Sequence, residues 1–204
     1  MPGSVCPVSS ESEALVAYLA QQRYLLRLTA YGLSDEQARA TPTASALSVG
    51  GVIKHVSAVE RFWMDVVLGR LGDADTHPES DYSESEYEGN FRLGPDETLE
   101  SVLDGYAKSA SATDAIVESI GDMAHPVPIP AGVPWFPKDV DAWSLRWVLL
   151  HLIEETARHA GHADIVREAV DGGTGFPIMA AAESWPATPW LEPWKPSAVE
   201  TAAV

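Results

Sequence analysis

A carboxylate and an imidazole lie one helical turn apart in an otherwise apolar stretch late in the sequence. The segment reads HLIEETARHAGHADIVREAV and contains Glu155 and His159. A spacing of four puts both side chains on one helix face, about 5–6 Å apart at Cβ, which suits chelation of one cation. A buried Glu155 needs a compensating positive charge, and no lysine or arginine shares its arc. The pair therefore predicts metal binding, with a surface contact between the two side chains as the alternative.

A third candidate ligand, His55, lies far upstream in VGGVIKHVSAVERFW. It falls inside the apolar arc of a second helix, formed by Val52, Val56, Val59, Phe62, Trp63, Val66 and Val67. If both helices turn their apolar faces to a shared core, His55 meets Glu155 and His159. Two imidazoles and one carboxylate are a known ligand set of catalytic zinc, with a fourth position left for water or substrate. The alternative for His55 is a hydrogen-bonded core histidine.

Two further histidines flank this pair. His151 falls further round the helix, nearer the solvent side, and His162 lies between these positions. Either could contact the ligands or supply a fourth one. A structural zinc site is normally closed by four protein ligands, so a fourth histidine would count against catalysis. The sequence alone assigns no catalytic residue.

Four long stretches have the periodicity of helices, and together they predict an all-α fold, a four-helix bundle with long crossover connections. A short helical turn is predicted in SDEQARATPT, after the first of them. The predicted domain is residues 9–175, between a flexible N-terminal tail (1–8) and an irregular Pro/Trp-rich C-terminal segment (176–204) that packs on the bundle or on a partner. The predicted helices span residues 10–32, 48–71, 95–120 and 144–172.

Two connections in this scheme are long. An acidic loop, GDADTHPESDYSESEYEGNF, joins the second and third helices, and loops of about twenty residues are usually functional or mobile. The connection HPVPIPAGVPWFPKDVDAW is rich in proline and aromatic residues, which favours an extended and packed conformation.

Composition narrows the classes of partner. The net charge is −17, with 13 basic against 30 acidic residues, which disfavours nucleic-acid and membrane-surface binding. Cys6 is the single cysteine, so neither an intrachain disulfide nor a cysteine-based zinc finger can form. The N-terminal residues lack the pattern of a secretory signal, and no apolar run approaches the roughly 20 residues that span a bilayer. A cytoplasmic protein with a small-molecule substrate is the expectation.

The segments SVGGVIKHVSAVERFW and LRWVLLHLIEETARHAGHADIVRE resemble the DinB-like superfamily of metal-binding helical bundles, and the likeness is closest to an uncharacterised DinB-like subgroup. It covers nearly the whole chain. In that superfamily a histidine of the second helix and an H-x-x-x-H pair of the fourth bind a divalent cation, which implies the ligands His55, Glu155 and His159. Glu155 stands where many members have histidine, although the mycothiol-dependent maleylpyruvate isomerase is similar in having glutamate there. His162 stands where many members have glutamine.

The resemblance implies a metal- and thiol-dependent transferase or isomerase, because members with a demonstrated activity use low-molecular-weight thiols. Zinc fits the ligand set best, with nickel, iron or manganese as alternatives. A cofactor carboxylate could pair with Arg158 or Arg146, and an electrophile could bind among aromatic side chains. Surface charge and core packing are the simpler interpretations of these residues. The aromatic candidates are Trp135, Phe136, Trp143 and Trp147.

Two other functions remain open at this stage. One is a non-catalytic, metal-stabilised binding or stress-response module. The other is a metal-dependent hydrolase, with His162 as the general base. The superfamily's name alludes to DNA damage, but the sequence has no basic stripe on any predicted helix. Superfamily members often form dimers, so a homodimer is also expected.

Overall fold

Helices make up most of the structure, a computed structural model that describes residues 3–70, 89–130, 136–137 and 139–196. The predicted all-α class is confirmed, with one small antiparallel sheet in addition. None of the helices in these ranges is long and apolar enough to cross a bilayer. The elements are α1 Glu11–Leu28, α2 Asp35–Arg39, α3 Val49–Val67, α4 Leu99–Ile120, β1 Pro126–Pro128, β2 Ala142–Ser144, α5 Leu145–Asp171 and α6 Gly175–Ala182.

Hydroxyl side chains begin each of the four long helices. The side chains of Ser10, Ser48, Thr98 and Ser144 each accept a hydrogen bond from a backbone N–H in the first turn of α1, α3, α4 and α5, respectively. Such caps satisfy donors that the helix itself leaves unpaired. The cap at Thr98 also explains why α4 begins at Leu99, and not at the predicted Pro95.

Two apolar clusters divide the core along the helix axes. The first draws on the C-terminal ends of α1 and α5 and the N-terminal halves of α3 and α4. The second draws on the opposite ends of the same helices. Hence α1 and α5 run one way, and α3 and α4 run the other. The start of α4 therefore lies level with the start of α3, whose other end is about 28 Å away at 1.5 Å per residue.

Polar side chains occupy the layer between the two clusters. Arg23 of α1 and Glu60 of α3 form a buried ion pair in which Arg23 is 5% and Glu60 1% exposed. Arg23 also donates to Asp114 of α4, at 2.8 Å. Thr156 and His159 of α5 are buried at the same level. α5 packs against both α1 and α3, so its polar residues can reach either neighbour.

The C-terminal segment contains a helix that the sequence interpretation did not include. Residues 176–204 were expected to be irregular, but α6 covers Gly175–Ala182. Pro177 lies in its first turn, where the missing N–H has no partner to lose. Ile178 and Met179 of α6 pack on Leu28 of α1. The prediction of a wholly irregular segment is wrong for α6, while residues 183–196 add no further helix.

A buried arginine fastens this region to the core. Arg167 of α5 is fully buried and donates to the carbonyl oxygens of Thr29 and Tyr31 at the end of α1, at 2.6 and 2.8 Å. Its Nε also donates to Asp171, at 2.8 Å. The Trp194 ring lies over the guanidinium, with 4.7 Å between the ring centroid and Cζ of Arg167. One side chain thus joins α5, the end of α1 and the C-terminal segment.

Candidate metal centre

Three predicted ligands converge where α3 and α5 pack together. Nε2 of His55 on α3 lies 3.3 Å from Oε1 of Glu155 on α5, and Nε2 of His159 lies 3.2 Å from the same oxygen. One ligand atom from each of the three lies within 4.8 Å of the others. The two segments, about one hundred residues apart, therefore meet as the sequence interpretation expected.

The position of the cluster in the fold explains its partial exposure. It lies level with the polar layer, at the outer edge of the α3–α5 contact. His159 is nearly buried, with 11% of its side chain exposed, while His55 and Glu155 are 15% and 22% exposed. All three side chains therefore keep some contact with solvent.

The electrostatics of Glu155 differ from those of an ordinary buried carboxylate. Hydrogen bonds from His159 and then His55 hold the pKa of Glu155 well below its usual range, although burial acts in the opposite direction. Among the described residues, only these two imidazoles form ion pairs with the carboxylate. Glu155 is therefore ionised at neutral pH, without a lysine or arginine beside it.

The donor set fits a divalent cation. Two imidazole nitrogens and one carboxylate oxygen are typical zinc ligands, and bond lengths of about 2.0–2.2 Å in a tetrahedral site separate ligand atoms by roughly 3.4 Å. The two nitrogen–oxygen separations of 3.2 and 3.3 Å are close to that value, and the whole set lies within 4.8 Å. The three side chains could hold the ion with small rotations.

His162 contacts the far side of the His159 ring. Nδ1 of His162 lies 3.5 Å from Nδ1 of His159, whereas Nε2 of His159 faces Glu155. Burial, and then the charges of His159 and Arg158, lower the pKa of His162. His162 therefore supports a predicted ligand and does not join the converging atoms.

His151 belongs to an aromatic stack one turn before Glu155. Its ring stacks on Trp147 at 5.4 Å and meets the edge of Trp63 at 4.9 Å. Trp147 stacks in turn on Trp143, with centroids 4.5 Å apart and planes 5° apart. The structure does not place His151 in the ligand cluster. Instead, the stack lines α5 on the N-terminal side of the cluster.

The other aromatic candidates divide between core and surface. Trp63 is buried behind the stack, and Phe136 packs edge-on against Trp143 at 4.8 Å. Trp147 keeps 38% of its surface exposed. Trp135 lies outside the described residues. Core packing therefore accounts for most of this cluster, and Trp147 is its exposed member.

The two arginine candidates have different surroundings. Arg146 is engaged by Glu11 through two hydrogen bonds of 2.8 Å, so it already has a carboxylate partner. Arg158 is exposed on α5 next to His159 in sequence, and its charge reaches His162. Of the two, Arg158 is better placed to meet a ligand at the cluster.

The sequence interpretation missed Phe91. Its ring stacks on His55 with centroids 3.9 Å apart and planes 19° apart, and it lies 5.9 Å from the ring of His159. The sequence shows Phe91 only at the end of the acidic loop. A signal was present in Gly51, because a Cβ there would overlap the Phe91 carbonyl. A glycine in the first turn of a helix can mark such a close backbone approach.

A cavity of about 990 Å³ lies elsewhere, between α1 and α4. Its lining includes Arg23, Tyr24 and Tyr106, and none of the three converging residues. We assign the candidate centre to the cluster, because the cluster gathers the chemistry and the cavity offers mainly apolar walls.

Comparisons with known proteins identify a family and a fold for the chain. The chain matches the family described as mycothiol-S-transferase over residues 14–172. No curated protein matches it significantly in sequence. A conserved protein from Enterococcus faecalis has a similar structure, with a TM-score of 0.59 and 14% sequence identity, over 80% of this chain and 98% of that one. At this identity the structural likeness establishes the fold alone.

Proposed function

The chain belongs to the mycothiol-S-transferase family, part of the DinB-like superfamily, and we propose that it is a divalent-metal-dependent enzyme that transfers a low-molecular-weight thiol of the mycothiol type. The convergence of His55, Glu155 and His159 carries this proposal. The family description favours transfer over isomerisation.

Each of the three side chains has a distinct part in holding a cation. His55 and His159 offer Nε2, and Glu155 supplies Oε1 together with the negative charge that a cation needs. A divalent ion bound there supplies a Lewis-acid centre that lowers the pKa of a thiol. Zinc fits this donor set best, and nickel, iron or manganese are alternatives.

The chemical balance of S-transfer is simple. The thiol loses its proton, its sulfur forms a bond to an electrophilic carbon, and the bond to the leaving group breaks with its electron pair going to that group, so that overall the proton and the leaving group are released together as the acid HX. We assign a part in orienting the reactants to Trp147, which is 38% exposed and stacks on His151 one turn after it. We assign an acidic group of the thiol to Arg158, which is exposed on α5 and adjacent to His159 in sequence.

The contacts of the neighbouring histidines favour catalysis over a purely structural ion. A structural zinc normally has four protein ligands, and the described residues bring three to the cluster. His162 faces the wrong nitrogen of His159 for ligation, and His151 is held in the aromatic stack. Among the described residues no further side chain joins the three, and we assign the remaining position on the ion to the thiol.

Elemental analysis and a thiol-consumption assay test the proposal together. The purified protein, loaded with one metal at a time, is incubated with mycothiol, glutathione or cysteine and a bimane electrophile. We expect about one metal per chain and formation of a thioether with one of the thiols. With an isomerisable electrophile in place of the bimane, formation of the isomer with recovery of the thiol unchanged would indicate an isomerase.

Two variants make the assay specific. His55→Ala should lose the metal and the activity, and His125→Ala should keep both, because His125 precedes β1 and lies outside the cluster. Unchanged metal stoichiometry in His55→Ala would overturn the ligand assignment. A metal-loaded protein that consumes none of the thiols would instead favour the non-catalytic module.

A further inference from the structure

One aromatic side chain covers a face of the candidate centre. The ring of Phe91 stacks on the His55 imidazole at 3.9 Å, nearly parallel to it, and its centroid is 5.9 Å from that of His159. Phe91 therefore contacts one proposed ligand face to face and lies close to another.

The hydrogen bonding of His55 makes this stacking significant. A histidine that binds a metal usually donates its other ring N–H to a carboxylate, carbonyl or water, which fixes the plane of the ring. His159 has His162 at its second nitrogen. Within the part of the chain that the structure describes, His55 makes its hydrogen bond through Nε2 to Glu155 and has none at Nδ1. The remaining restraints on its plane are the Phe91 ring and the edge of His159, 4.7 Å away.

The backbone that carries Phe91 is held closely against α3. Gly51 leaves room for the Phe91 carbonyl, and the side chain of Leu93 lies over Gly50. Lys54, next to His55 in sequence, donates to the carbonyl oxygen of Arg92 at 3.2 Å. These contacts place residues 91–93 on the first turns of the helix that carries His55.

The same lysine is anchored from the start of α4. Lys54 also pairs with Glu97 at 2.8 Å, and Glu97 accepts a hydrogen bond from the backbone N–H of Gly94 at 2.6 Å. Residues 92–97 are therefore held against Lys54 at both ends. The position of the Phe91 ring depends on these contacts and on the close approach of its carbonyl to Gly51.

We propose that Phe91 is a positioning residue that fixes the plane of His55 and forms the aromatic wall on one side of the metal centre. The inference rests on the proposed function, because it assigns His55 to a metal. The wall shields one face of His55 from water. It leaves the thiol and the electrophile to approach from the side that faces away from Phe91.

Variants at position 91 test whether the metal centre needs an aromatic ring there or only an apolar side chain of similar size. Metal affinity is measured by competition with a chelating dye, and ligand geometry by the visible absorption of the Co²⁺-loaded protein. Phe91→Leu and Phe91→Ala should weaken metal binding about 10-fold or more, as losses of outer contacts to a ligand do, and should change the Co²⁺ spectrum. Phe91→Tyr keeps the ring and should restore both properties. A Phe91→Leu protein with wild-type affinity and spectrum would overturn the proposal.

A second variant moves Phe91 without altering it. Gly51→Ala places a Cβ against the Phe91 carbonyl and should reproduce the affinity loss of Phe91→Leu. The double variant should lose little more than either single one, because both act through the same contact. Gly105→Ala is the matched control, since a Cβ on Gly105 meets no atom within 4 Å, and it should leave the affinity unchanged. Additive losses in the double variant would contradict the proposal.

The controls distinguish this inference from the proposed function. If the wild-type protein binds no Co²⁺, the metal centre itself is refuted. If it binds Co²⁺ and all variants at position 91 bind it equally well, the assignment of Phe91 alone is refuted. Circular dichroism identifies any variant that has failed to fold, and Phe91→Tyr then remains to be compared with Phe91→Leu.

Discussion

Two glutamates in the helical core have opposite surroundings. Glu60 on α3 is 1% exposed and is bound by the guanidinium of Arg23. Glu155 on α5 is partly exposed and is bound only by His55 and His159 among the described residues. The negative charge of Glu60 is balanced by the permanent positive charge of Arg23. The partners of Glu155 are imidazoles, which carry no permanent charge. We infer that Glu60 serves the fold and that Glu155 serves a bound cation.

Removing Arg23 tests the first half of this comparison and should have the largest effect. Arg23→Ala leaves Glu60 buried without a partner, which should lower the free energy of unfolding by about 3–5 kcal/mol. Denaturant titration of the metal-free protein measures the loss. Arg146→Ala is the control, because its pair with Glu11 is exposed, and it should cost far less. Equal losses in the two variants would mean that Glu60 does not depend on Arg23.

Adding metal tests the second half. At a free metal concentration of 100 times Kd, binding to the native state alone should stabilise the wild-type protein by about 2.7 kcal/mol. His55→Ala should show none of this gain, while its stability in a chelator should stay near that of the wild type. Thermal unfolding with and without metal measures both. A metal-dependent gain that survives in His55→Ala would refute the comparison.

The two flanking histidines provide a smaller and sharper test. His162→Ala removes the contact at Nδ1 of His159 and should weaken metal binding about 10-fold. His151→Ala should leave metal content intact, because His151 lies in the aromatic stack. Dye competition measures both affinities. Loss of the ion in His151→Ala would show that the ligand set was chosen wrongly.

The smallest expected effect concerns a third carboxylate, Glu97, which is half-exposed. Burial raises its pKa, but hydrogen bonds from Lys54 and Gly94 outweigh that effect and hold the pKa below its ordinary value. A lowered pKa in the folded state stabilises the protein at neutral pH, and this contribution is lost as the pH falls below about 4.5. Lys54→Met should therefore reduce stability at pH 7 and approach the wild type in acid. A difference that is independent of pH would contradict this account.

Much of the fold could be predicted because local signals coincide with helical periodicity. Ser10, Ser48 and Ser144 each precede an apolar-periodic run and prove to be N-caps. Gly172, in the left-handed region at φ 74°, ends α5 at the predicted place. α6 was missed because an eight-residue helix carries too little periodicity, and its stability comes from packing on α1.

The meeting of the candidate ligands could be predicted for a similar reason. Glu155 and His159 share one helix face, and His55 lies within an apolar arc that had to be buried. Phe91 could not be predicted in this way, because its stacking on His55 depends on how a distant backbone segment packs over Gly51. Likewise, the pairing of Arg23 with Glu60 could not be predicted, because the two charges lie on separate helices and neither belongs to a recognisable motif.

The contacts of Arg167 with the end of α1 and with Trp194 determine where the chain can be shortened. The family match ends at residue 172, and a truncation there would remove both α6 and Trp194. The guanidinium of Arg167 would lose its aromatic cover, and Leu28 on α1 would be exposed to water. Such a fragment should be prone to aggregation for reasons unrelated to its metal chemistry. Boundaries for expression should therefore lie beyond Trp194.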